Sequence, residues 1–84
     1  MSEQLTSKIV AWAAEVATAA AELPTKQERE AYLAERRRDL ADGAIAEGTT
    51  REDAEGLADV CADAARRILT ELLIQRASGS PGHA

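Results

Sequence analysis

The side chains that could carry out acid–base or nucleophilic chemistry in this chain are few and far apart. His83 is the only histidine and Cys61 the only cysteine. His83 lies in a segment rich in glycine and serine, where no element would orient it. The sequence contains no Ser-His-Asp set, no Cys-His pair and no glycine-rich phosphate loop. It therefore predicts a protein that is not an enzyme and that uses no cofactor.

Metal binding and direct DNA binding are both disfavoured. Asp59 and Asp63 are spaced to share a helix face, but His and Cys ligands are missing, and a solvated face is the simpler interpretation. Residues 36–38 are three arginines, and the order helix–EGTT–helix superficially resembles a helix-turn-helix. However, three consecutive side chains point in three directions on a helix, and carboxylates flank this run. With a net charge of −5, we expect no metal site and no direct contact with nucleic acid.

The elements that must position these residues are three amphipathic helices. Apolar residues recur at steps of three and four in three segments, and strand signals are nearly absent. The predicted helices span roughly residues 3–23, 26–47 and 50–77. The expected fold class is all-α, a small three-helix bundle. It forms a single domain over residues 1–77, followed by a disordered C-terminal tail over 78–84.

Local signals predict where these helices begin and end. A proline stops the first helix. Thr25 and Glu28 form a capping box at the start of the second helix, and Gly48 is expected to end it in a left-handed conformation. Either Thr49 or Thr50 is expected to cap the third helix.

The first and third helices carry more apolar surface than one packing contact uses, and we expect them to pack together. The residues assigned to the core are Leu5, Ile9, Val16, Leu57, Ile68 and Leu72. The surplus faces comprise Val10, Ala14, Ala17 and Ala21 on the first helix and Leu69, Leu73 and Ile74 on the third. Because contiguous exposed apolar patches mark interaction surfaces, all of these except Ala21 are the six predicted partner-binding residues. Trp12 lies on the core stripe of its helix.

The predicted core is short of bulk, because 19 residues are alanine and none is phenylalanine. Such a core lets helices approach closely but buries little area per residue. A lone cysteine cannot form an internal disulfide, which is compatible with a reducing cytoplasm. The apolar run over 9–21 is too short to cross a membrane. We therefore expect a cytoplasmic protein of marginal stability with no membrane partner.

Taken whole, the chain resembles the small α-helical quorum-sensing antiactivators of rhizobial integrative and conjugative elements, the QseM type. The resemblance rests on chain length and on three segments: IVAWAAEV at 9–16, TKQERE at 25–30 and TTREDAEGLAD at 49–59. It implies a protein that binds a LuxR-type, TraR-like transcriptional activator and so represses conjugative transfer. A second, unrelated activator is a further implied partner. The resemblance assigns no role to individual residues.

Two other functions remain open at this point. A small homodimeric structural or adaptor protein, without a regulatory role, would bury the surplus faces on a second copy, and its helicity would depend on concentration. Direct DNA binding would instead show an affinity that falls steeply with salt through residues 36–38.

Overall fold

The computed structural model describes the backbone over residues 2–78 and the side chains over 5–77. Within this range the chain forms three α-helices: α1 (Ser2–Ala21), α2 (Lys26–Ala46) and α3 (Arg51–Ser78). The all-α fold class and the three-helix bundle are therefore confirmed. α3 ends at Ser78, where the predicted tail over 78–84 begins, and residues 79–84 lie outside the described range.

Both ends of α2 follow the local signals in the sequence. Thr25 is extended, and its hydroxyl accepts a hydrogen bond of 3.1 Å from the amide of Glu28. Gly48 has a φ of +106°, in the left-handed region that favours glycine. This conformation lets the amide of Thr49 donate to the carbonyl of Ala44 at 3.0 Å, closing the helix end.

The other helix ends differ slightly from the predicted bounds. α1 stops at Ala21 instead of residue 23, because the next two amides bond three residues back and tighten the last turn. The guanidinium of Arg29 then donates to the carbonyl of Leu23 at 3.0 Å and fixes the turn into α2. At the start of α3, the hydroxyl of Thr50 accepts from the amide of Asp53 at 3.2 Å, so Thr50 is the cap.

α3 is the central helix of the bundle. α1 packs most extensively on α3, α2 also packs on α3, and α1 touches α2 only slightly. α1 and α3 run parallel. At one end of this pair Arg76 donates to the carbonyl of Ala21 at 2.9 Å, and at the other end Leu5 and Leu57 line one groove. α2 runs antiparallel to both.

The core consists of two clusters dominated by alanine. The larger cluster joins α1 and α3 and receives one leucine from α2; its buried members are Ala13, Val16, Ala17, Ala20, Ala21, Leu33, Ala65 and Leu69. The smaller joins α2 and α3 and comprises Ala41, Ala54 and Ala58. Val16 is the largest side chain that is fully buried. The expected shortage of bulk in the core is therefore confirmed.

The buried faces of α1 and α3 are rotated from the predicted stripes. Leu5, assigned to the core, is 52% exposed, and Ile9, Leu57, Ile68 and Leu72 are only half-buried. Conversely, Ala17, Ala21 and Leu69 are 0%, 4% and 5% exposed, so the prediction that they belong to an exposed surface is wrong. The physical reason is size: alanine faces let two helices approach closely, which places bulkier side chains at the margins of the interface.

Candidate functional site

An open groove lies where α1 and α2 diverge over the N-terminal half of α3. The N-terminal half of α2 reaches the larger core cluster through Leu33, and its C-terminal half packs on α3 through Ala41. The N-terminal half of α1 lies opposite that C-terminal half, but the two helices make little contact. The space between them stays open.

One end of the groove is apolar and encloses about 250 Å³. Its lining comprises Leu5, Lys8, Ile9, Trp12, Leu40, Leu57 and Cys61. Leu5 is about half exposed at the rim, whereas Cys61 is 3% exposed at the floor. Lys8 is the one charged residue of this end. We use the name apolar groove for the whole space, that is, for this apolar end and for the charged end described next.

The other end of the groove is charged along α2 and encloses about 370 Å³. It shares three residues with the apolar end (Trp12, Leu40 and Leu57) and adds Arg36, Asp39, Gly43, Ala44 and Glu47. Arg36 lies 3.5 Å from Asp39, an ion pair one helical turn apart. Glu47 has no ion-pair partner among the described side chains, so this rim is acidic on balance.

Gly43 forms a notch in the α2 rim. It is exposed, and a Cβ built on it would meet nothing within 4 Å. No contact inside the protein therefore requires a glycine at this position. An interior helical glycine costs about 1 kcal/mol relative to alanine, so the notch comes at a cost to α2.

Cys61 is shielded at the floor of the groove. Burial raises the pKa of its thiol, because the charged thiolate is poorly solvated there. The thiol is therefore protonated at neutral pH and is a poor nucleophile.

The six residues predicted to bind a partner do not form one surface. Val10 and Ile74 are 52% and 53% exposed, while Ala14 and Leu73 are half-buried, and none of these four lines the groove. In the parallel α1–α3 register, Val10 and Ile74 lie about 14 Å apart along the bundle axis. Only isolated members of the predicted patch are therefore available at the surface.

Sequence reasoning assigned three groove residues, Leu5, Ile9 and Leu57, to the core and so missed the groove. One signal was present in α1: the large side chains Leu5, Ile9 and Trp12 occupy its first half, and alanine dominates its second half. Only the alanine-rich half is well covered by both neighbouring helices. The change in side-chain size along α1 thus marks where the bundle opens.

The three arginines at 36–38 point in different directions, as expected for consecutive helical residues. Arg36 pairs with Asp39, and the Nε of Arg37 donates to the Oδ1 of Asp59 at 2.8 Å across to α3. Arg38 is exposed. Two of the three guanidiniums are thus held by carboxylates and do not form a basic patch.

A second ion pair joins α2 to α3 away from the groove. Arg66 donates to a carboxylate oxygen of Glu30 at 2.6 Å. This hydrogen bond lowers the pKa of Glu30 and raises the pKa of Arg66. Together with Arg37 and Asp59, the pair fixes the rotation of α2 on α3.

Residues 2–78 contain no group of three or more His, Cys, Asp or Glu placed to hold a metal ion. None of the three helices combines the length and the apolar character that a membrane span requires.

Comparison with known proteins identifies no relative of this chain. No family model matches the chain, and neither characterised proteins nor solved structures provide a match.

Proposed function

We propose that this protein is an antiactivator, a protein-binding inhibitor that sequesters a LuxR- or TraR-type transcriptional activator and so represses quorum sensing and conjugative transfer. The observation that supports it best is the apolar groove on a small acidic helical protein. Half-open apolar grooves are typical protein-binding sites, and Trp12, central in the lining, is of a residue type enriched at binding hot spots. The resemblance of the chain supplies the class of the partner.

Charge supports the same proposal. The protein carries a net charge of −5, and the α2 rim of the groove is acidic. A DNA-binding activator presents basic surface, and complementary charge speeds encounter and fixes orientation. Capture of such a partner needs no nucleophile, and the buried thiol of Cys61 supplies none. A second, unrelated activator remains a proposed partner, because a loosely packed groove can adapt to more than one occupant.

The test is size-exclusion chromatography with light scattering on the protein alone and mixed with a purified LuxR-type activator. We expect a monomer alone and a stable mixed complex. Leu5→Glu places a charge at the groove rim and should weaken the complex about tenfold or more. Val60→Glu is the matched control, because Val60 is 55% exposed, close to the value for Leu5, but does not line the groove. An activator that elutes separately from the wild-type protein contradicts the proposal.

Self-association is the alternative, favoured by the exposure of Leu5, Val10, Val60 and Ile74, each more than half exposed. A homodimer that buries these side chains would elute at twice the monomer mass, and its helicity would fall on dilution. A tight homodimer that ignores the activator would support the structural or adaptor role and overturn the inhibitory one.

A further inference from the structure

The walls of the groove favour an occupant whose backbone is already hydrogen-bonded. The apolar end is made of side chains on three helices, whose main-chain groups are engaged within those helices. An extended segment entering this end would lose hydrogen bonds to water and find no replacement. A helix keeps its own backbone bonds and presents only side chains.

The dimensions of the groove fit about two turns of helix. Leu5 and Trp12 are seven positions apart on one wall, and Leu40 and Glu47 are seven positions apart on the other. Each wall is therefore about 10 Å long. A helix of that length offers apolar anchors at positions i, i+3 or i+4, and i+7.

Charge favours a basic occupant. Among the described side chains that line the groove, Lys8 and Arg36 balance Asp39 and Glu47. Arg36 pairs with Asp39, so Glu47 is the carboxylate of the α2 wall without an ion-pair partner among the described side chains. The protein as a whole carries a net charge of −5, which attracts basic side chains flanking the apolar face of an incoming helix and repels acidic ones.

Gly43 supplies an independent indication of a close neighbour. Gly43 lies in the middle of α2 and lines the groove. It lowers the stability of α2, and no neighbouring atom in the protein requires a glycine there. Small residues where helices cross let the backbones approach closely. The notch therefore suits a helix that crosses α2 at Gly43.

A second copy of the chain fits the groove poorly, because it would have to offer a convex apolar ridge. Two concave grooves facing each other would leave the space unfilled.

From these observations we infer that the occupant of the apolar groove is an amphipathic α-helix of the partner with basic residues flanking its apolar face, crossing α2 at Gly43. The inference deepens the proposed function and rests on it only for the identity of the protein that carries the helix.

The test compares Gly43→Leu with Gly56→Leu. Gly56 lies on α3, is equally open and is outside the groove lining, so both leucines replace an exposed helical glycine and both variants should be at least as stable as wild type. Thermal unfolding verifies that each variant is folded. The probes are two synthetic helical peptides of about five turns with leucines at helix spacing. One has lysine flanks and the other glutamate flanks.

Binding is followed by the fluorescence of Trp12, the single tryptophan, which lines the groove. We expect the lysine-flanked peptide to bind about tenfold or more tightly than the glutamate-flanked one. Gly43→Leu should lose this binding and Gly56→Leu should keep it. Equal binding of the two peptides, failure of both to bind, or full binding by Gly43→Leu overturns the inference.

The same variants mixed with the purified activator separate the two proposals. An activator complex that survives Gly43→Leu supports the inhibitory function and overturns the helix-in-groove inference. Specific binding of the lysine-flanked peptide without any activator complex supports the inference and overturns the choice of activator.

Discussion

Trp12 belongs both to the core and to the groove. It packs against the larger core cluster and also lines both ends of the groove. Truncating Trp12 would therefore lower both the stability of the protein and its affinity for a partner. Weaker binding by such a variant could not be assigned to a lost contact. Leu5, which is half exposed at the rim, separates the two effects and is the better residue to change.

The ion pair between Glu30 and Arg66 predicts a stability contribution that depends on pH. The pKa of Glu30 is lowered from 4.5 in the folded protein, chiefly by its hydrogen bond to Arg66. A lowered folded-state pKa means that the contribution is present above about pH 4.5 and is lost as the pH falls through the folded pKa. Both side chains are about half exposed, so solvent screens the pair.

Glu30→Gln is accordingly expected to lower the free energy of unfolding by about 0.5 kcal/mol at pH 7 and to have little effect at pH 3. Urea denaturation at the two pH values measures the difference. Glu35→Gln is the control, because Glu35 is exposed on the same helix and has no ion pair among the described side chains. An equal loss at both pH values would show that the ion pair is not its source.

At the scale of the elements, the sequence predicted the number of helices and most of their ends. Thr25 and Gly48 act locally, through bonds to residues within one turn, so their effect does not depend on the rest of the fold. The buried faces were less predictable. Periodicity showed that α1 has two apolar faces, but which one packs on α3 depends on the size of the facing side chains.

Replacing glycine by alanine is expected to change the stability of the protein in opposite directions at Gly48 and at Gly56. Gly48→Ala should destabilise the protein by about 1–2 kcal/mol, because alanine is strained at a φ of +106°. Gly56→Ala should stabilise it by about 0.5–1 kcal/mol, since α3 gains helix propensity and a Cβ meets nothing within 4 Å. Thermal unfolding of both variants measures the direction of each change in stability. Shifts in the same direction would contradict the role assigned to the backbone conformation.

At the scale of the whole molecule, α3 holds the other two helices, and the alanine contact between α1 and α3 is the principal interface. The groove is a property of this arrangement. It exists because α1 and α2 both pack on α3 and leave each other uncovered. The change in side-chain size along α1 indicates where the bundle opens, but it specifies neither the position of α2 nor the residues of the facing wall. The complete site could therefore not be predicted from the sequence, although every residue that lines it was already recognised as part of a helix.

Ala17→Leu tests how closely α1 and α3 pack. Ala17 is fully buried, and three added carbons should overpack the interface and lower the free energy of unfolding by about 1–3 kcal/mol. Ala11→Leu, on the exposed side of the same helix, should change it by less than about 0.5 kcal/mol. Urea denaturation compares the two. If Ala17→Leu were as stable as Ala11→Leu, the interface would have to be looser than the burial of Ala17 indicates.

The bond from Arg76 to the carbonyl of Ala21 joins residues 55 positions apart. It is one part of a main interface formed between the first and the last helix, while consecutive helices α1 and α2 share little. During synthesis, α1 and α2 leave the ribosome before the partner of the alanine face exists. Since closing so long a loop costs entropy before any contact compensates for it, native packing must wait for α3. The alanine face of α1 therefore stays without its native partner until α3 has been synthesised.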